Sequence, residues 1–157
     1  MSAALEPKVA IRPMTPADLA GVSAVEQAAY QFPWSPGIFR DCLLAGYPSF
    51  VLVDDTMVIG YAIMSVAAGE AHILNICVHS DYQRKNFGRR MLRMLLDRAK
   101  ESEVDSVYLE VRPSNEAGLS LYRAEGFVEV GIRPRYYQAA RGREDAVILA
   151  LTLFPSD

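Results

Sequence analysis

Apolar positions along the chain change period several times, and each change marks an element. Met91, Leu92, Leu95, Leu96 and Ala99 recur three and four apart, the stripe of an amphipathic helix that lies on a sheet. An apolar run precedes them, so Leu74 to Arg98 reads as a strand, a short polar turn and a helix. Ser106 to Arg112 instead alternates Val107, Leu109 and Val111 against Tyr108, Glu110 and Arg112, a two-faced strand closed by Pro113. Apolar runs at Ser49 to Asp54 and Met57 to Ala67, with a tight turn between, predict two antiparallel strands, and Glu70 to His79 continues the meander. Val9 to Arg12 predicts a first strand; Phe127 to Arg133 and Glu144 to Leu153 predict two last ones, joined by a long connection from Pro134 to Arg143.

Helix signals fill the gaps. Thr15-Pro16 and Ser35-Pro36 each set a capping hydroxyl before a proline at the first helical position, which predicts helices to about Tyr30 and Leu44. Between them Gln31 to Pro36, with Phe32, Pro33 and Trp34, is too rich in proline and aromatics for regular structure. It serves either as a plug between the two helices or as one wall of a substrate groove. Ser114 or Asn115 caps a helix from Glu116 to Ala124, which Gly126 stops. The resulting order, β-α-α-β-β-β-α-β-α-β-β, is an α/β fold: a mixed, mostly antiparallel sheet with helices on both faces.

Composition narrows the picture little but usefully. With 157 residues, 51% of them apolar and 22% charged, and without repeats or linkers, the chain suits a single domain spanning 1–157. A net charge of −3 argues against a general nucleic-acid binder. Cys42 and Cys77 form no disulfide framework, and with His72 and His79 they have no metal-ligand spacing, which fits a metal-free protein in a reducing cytoplasm. Met1 to Ala10 carries no signal-like apolar core, and no apolar run is long enough to cross a bilayer.

Charge placement is more telling. Arg84, Lys85, Arg89 and Arg90 crowd the start of the basic helix, where the unpaired amides and the macrodipole are already positive. Cations there either fan into water or receive an anion, and phosphate is the natural candidate. Gln83-Arg84-Lys85-Asn86-Phe87-Gly88 resembles the Gln/Arg-x-x-Gly-x-Gly/Ala signature of GNAT-superfamily N-acetyltransferases. In that family the loop cradles the pyrophosphate of acetyl-coenzyme A. Asn86 stands where the family has its first glycine; asparagine tolerates a left-handed backbone, with a Cβ that glycine lacks.

A second resemblance spans nearly the whole chain. Phe32-Pro33-Trp34-Ser35, Asp81-Tyr82-Gln83-Arg84, Leu109 to Asn115, Leu121-Tyr122, Arg135-Tyr136-Tyr137 and Gly142 to Ala146 look like the corresponding stretches of RimI-type ribosomal-protein-alanine N-acetyltransferases. The resemblance implies Glu110 as proton acceptor and Tyr122 as proton donor. It implies acetyl-CoA binding by Ile76, Cys77 and Val78, by Arg84, Lys85, Asn86, Phe87, Gly88 and Arg89, and by Asn115. Its implied acceptor is the N-terminal amine of a small-subunit ribosomal protein, with no direct part for nucleic acid or membrane. From the residues alone, Glu110 reads first as a solvated carboxylate beside Arg112, and a core tyrosine next to Gly118 and Leu121 is the alternative for Tyr122.

The residue types suit that chemistry. A protein α-amine has a pKa of about 7.7 to 8 and is largely protonated at pH 7, so it needs an acceptor before it attacks. A tyrosine, with a pKa near about 10, still holds a proton to give to a departing thiolate. Cys77 lies in an apolar strand without an activating histidine, which favours direct transfer over an acyl-cysteine route. A lysine side chain or a small amine as acceptor, and a non-catalytic acyl-CoA-binding module, are the alternatives. Dinucleotide and P-loop readings fail, since neither G-x-G-x-x-G nor Gly-Lys-Ser/Thr occurs.

Overall fold

The computed structural model describes residues 8–154. The amino-terminal stretch read above as lacking a signal-like core lies, for its first seven residues, outside them. In chain order the elements are β1 (Val9–Pro13), α1 (Leu19–Ala29), α2 (Pro36–Leu44), β2 (Ser49–Asp54), β3 (Met57–Ala67), β4 (Glu70–Val78), α3 (Phe87–Glu101), β5 (Ser106–Val111), α4 (Glu116–Ala124), β6 (Val128–Gln138) and β7 (Arg143–Thr152). Among the described residues the strands form one seven-stranded sheet in the order β1-β2-β3-β4-β5-β7-β6. The β4–β5 pair is parallel, and β1–β2, β2–β3, β5–β7 and β6–β7 are antiparallel, so the expected mixed, mostly antiparallel sheet is present. No described helix is long and apolar enough to cross a membrane.

The chain divides into two compact units, Met1–Met64 with Asn75–Leu95, and Ser65–Leu74 with Leu96–Asp157. Strands β3 and β4 and helix α3 contribute residues to both. In the first unit Val22, Val25, Phe39, Val51, Leu52, Tyr61, Ile63, Met91, Leu92 and Leu95 are buried. Gly60 sits where a Cβ would come within 2.7 Å of the Cys77 carbonyl oxygen, so β3 passes there only as glycine. In the second unit the core is Ala71, Ile73, Leu96, Ala99, Val107, Leu109, Val111, Phe127, Ala146 and Leu149. All five apolar positions of the α3 stripe are buried, as their spacing requires.

Two expectations are corrected. The first helix does not run unbroken from Pro16: a 3-10 turn at Pro16–Asp18 precedes α1. There the Asp18 carboxylate accepts from the Thr15 amide at 2.8 Å and the Thr15 hydroxyl at 3.1 Å, while Arg12 donates to both its oxygens at 2.8 Å. The acid thus organises the turn and ties it to β1. The last hairpin is also tighter than expected. β6 continues to Gln138 and only residues 139–142 remain as the loop, because register shifts at Glu129/Gly131 and Arg133/Tyr137 absorb the extra residues, Pro134 included.

Candidate active site

Glu110 occupies the polar face of β5, opposite Val107, Leu109 and Val111, all three buried. Its side chain is only 10% exposed, covered rather than solvated. Arg133 of β6 places Nε 3.2 Å from Glu110 Oε1, and His72 of β4 places Nε2 3.7 Å from the same oxygen. The parallel register, which pairs His72 with Tyr108 and Ile73 with Leu109, brings the histidine to the carboxylate. Sequence reading assigned neither Arg133 nor His72 to the site, because both arrive through strand pairing and no motif marks them.

Arg112 is engaged elsewhere. It donates to the Gln138 carbonyl at 2.7 Å, pairs with Glu144 at 3.1 Å and lies 4.4 Å from the Tyr137 ring centroid. Glu144 also accepts from the Ser114 amide and hydroxyl at 3.0 Å each. Arg143 donates to the Arg135 and Tyr136 carbonyls, each at 2.7 Å. These bonds fix the β6–β7 hairpin and with it Tyr136 and Tyr137, whose rings meet edge-on at 4.9 Å. Burial, and then the charge of Glu110, push both phenols above their ordinary range.

Tyr122 lies on α4 in the same unit, its ring 5.8 Å from that of Phe127. Burial pushes its phenol up to about 12, so it carries its proton throughout the neutral range. Asn115 caps α4, its Oδ1 accepting from the Gly118 amide at 3.0 Å. Gly126, at φ 100°, closes the helix with the Phe127 amide donating to the Tyr122 carbonyl at 3.0 Å.

The basic loop belongs to the first unit. Arg84 and Asn86 are both left-handed, at φ 65° and 64°, on either side of Lys85. The Arg90 amide donates to the Asn86 carbonyl at 3.0 Å, so Asn86 immediately precedes the α-helical bonds, and the first turn of α3 holds no acid. Tyr82 donates to Asp54 at 2.6 Å and Gln83 Nε2 to the Val78 carbonyl at 3.1 Å, which tethers the loop to β2 and β4. Arg84, Lys85 and Asn86 are exposed, while Phe87, Gly88 and Arg89 are half-buried. Cations, helix-start amides and paired left-handed residues are a donor set that fits a pyrophosphate.

Ile76, Cys77 and Val78 lie past the end of the β4–β5 register, which stops at Ile73 with Leu109. Burial pushes the Cys77 thiol up to about 11, away from a nucleophilic thiolate. Nearby in this unit Glu26, buried in α1, accepts from the Tyr61 hydroxyl, from Asn75 Nδ2 at 3.0 Å and from the Trp34 amide at 2.9 Å. Half-buried Trp34 meets the buried Phe39 ring at a tilt of 48° with centroids 5.2 Å apart, whereas Phe32 and Ile38 are exposed. The proline-aromatic loop is therefore packed on one side and open surface on the other. Nothing in the sequence singled out Glu26, whose role rests on contacts from three distant elements.

Comparison with known proteins points the same way. The model of the Acetyltransferase (GNAT) family matches residues 19–127. The [Ribosomal protein bS18]-alanine N-acetyltransferase of Escherichia coli (strain K12) is 40% identical over 136 residues, 87% of this chain and 92% of the relative. That of Haemophilus influenzae is 38% identical over 130 residues, covering 82% and 88%. The crystal structure of the ribosomal-protein-S18-alanine N-acetyltransferase from E. coli superposes with a TM-score of 0.88 at 38% identity, over 95% of this chain and 96% of that one.

Proposed function

The chain belongs to the GNAT acetyltransferase family, and from that premise we propose that it moves the acetyl group of acetyl-coenzyme A to the N-terminal amine of a protein, the terminal alanine of a small-subunit ribosomal protein. The observation that carries this reading is the similarity, over most of both chains, to relatives named for that reaction. The cytoplasm suits it, since Cys42 and Cys77 are free and buried.

The site residues take complementary parts. Acetyl-CoA supplies an activated thioester. The Arg84–Arg89 loop holds its phosphates through helix-start amides and guanidinium groups, and the backbone of Ile76, Cys77 and Val78 and the Asn115 side chain contact the rest. Glu110 takes a proton from the terminal ammonium and frees the nitrogen lone pair for attack on the thioester carbon. As the carbon–sulfur bond breaks, Tyr122 gives its proton to sulfur and is reprotonated by the proton the new amide nitrogen sheds. Ammonium and thioester thus become amide and thiol, with one proton left over per turnover.

The test is mass spectrometry of N-terminal peptides incubated with protein and acetyl-CoA, with lysine-containing peptides and small amines in competition. Acetyl on the α-amine of an alanine-starting ribosomal peptide is the expected result. Acetyl appearing on lysine ε-amines or small amines instead would overturn the assignment of acceptor.

A further inference from the structure

The leftover proton must leave Glu110 before the next turnover, and few of the groups around Glu110 can take it. Arg133 of β6 and Arg112, just past the end of β5, are permanently charged and accept nothing. Tyr108 on β5, Tyr136 and Tyr137 on β6 and Tyr122 on α4 are phenols, donors rather than acceptors at neutral pH. Across β5 the register partner on β7 is Ile148, which is apolar. His72 of β4 is the exception: an imidazole, the side chain whose ordinary pKa, about 6.5, lies next to neutrality. Its Nε2 is 3.7 Å from Glu110 Oε1, the same oxygen that Arg133 meets. Its side chain is 39% exposed while that of Glu110 is 10% exposed, so the histidine joins a covered carboxylate to water.

We propose that His72 is the proton exit of this site: the carboxyl of Glu110 passes its proton to neutral His72 Nε2, and the imidazolium releases it to solvent. The carboxylate is regenerated, the imidazole returns to neutral, and no other reactant is consumed. Arg133 Nε, 3.2 Å from Glu110 Oε1, remains the ion-pair partner of the carboxylate that the transfer regenerates. His72 acts through Glu110 and is a positioning residue for its protonation state. The inference rests on the reading of Glu110 as the base.

His72→Ala and His72→Asn, both at a part-exposed position, are compared with the parent and with Glu110→Gln in turnover against pH, with and without imidazole in the buffer. Loss of the relay lowers kcat about 10-fold at pH 7, at the low end of proton-transfer effects, with the acetyl-CoA Kd unchanged. The parent's kcat against pH carries an acid limb that both variants lose. Added imidazole restores turnover in proportion to its neutral form. A variant with the parent's kcat and pH profile, or a deficit that imidazole leaves untouched, overturns the relay while an inactive Glu110→Gln keeps the base. A fully active Glu110→Gln overturns both.

Discussion

At the scale of single residues, Glu110 and Tyr122 are proposed for opposite proton transfers, and their variants should separate. Glu110→Gln keeps the shape and loses the base, so turnover drops by about 10²- to 10⁴-fold, most severely below the amine pKa, and rising pH partly restores it. Tyr122→Phe slows turnover without that restoration, since a less acidic solvent cannot replace a missing acid. With the Tyr122 phenol pushed up to about 12, the parent should keep its acid beyond the pH at which an ordinary tyrosine, near about 10, loses it. Wild-type turnover in both variants at pH 7, with folding and acetyl-CoA binding intact, would withdraw these roles. Asn86 makes a third case. Its φ of 64° is the left-handed backbone that the family's glycine would adopt, so Asn86→Gly relieves a strain of order 1 kcal/mol or less. Calorimetry should then find acetyl-CoA bound slightly more tightly, and equal or weaker binding would count against it.

Among the elements, Asp18 joins β1 to the start of α1. The hydrogen bond from Arg12 holds its carboxyl at about 2, below its ordinary value of 3.8, and burial only partly opposes this. A depressed carboxylate stabilises the fold above the unfolded pKa and loses that contribution as pH falls through the folded one. Asp18 should therefore contribute roughly 2 kcal/mol at neutral pH that disappears between about pH 4 and pH 2. Denaturant midpoints of the parent and Asp18→Asn, followed over that range, should converge; parallel curves would contradict it. The sequence showed a proline start here but not the carboxylate that reaches back to Arg12. Likewise Pro134 suggested an early end for β6, yet an edge strand with two register shifts tolerates it and carries Tyr136 and Tyr137 onward.

For the molecule as a whole, each of the two compact units is made of two separate stretches, and β3, β4 and α3 supply residues to both. A chain shared in this way cannot release one unit without fraying elements of the other, and we propose that residues 1–157 behave as one domain. Thermal unfolding should show a single transition, with calorimetric and van't Hoff enthalpies equal. Two resolved transitions would refute it.

The sequence alone determined the order of strands and helices and the buried stripe of α3. It also determined the polar placement of Glu110 and the basic start of the helix. Period, caps and turn residues are local, and they act before any tertiary contact exists. It held as well the motifs by which the family is recognised. The surroundings of Glu110 were decided only in three dimensions. Which cation meets the carboxylate depends on strand register, and register joins Glu110 to His72 and Arg133, residues 38 and 23 positions away in the chain. The same holds for Glu26, whose donors come from the loop, β3 and β4. A local pattern places a side chain on a face, and the pairing of distant strands chooses its neighbours.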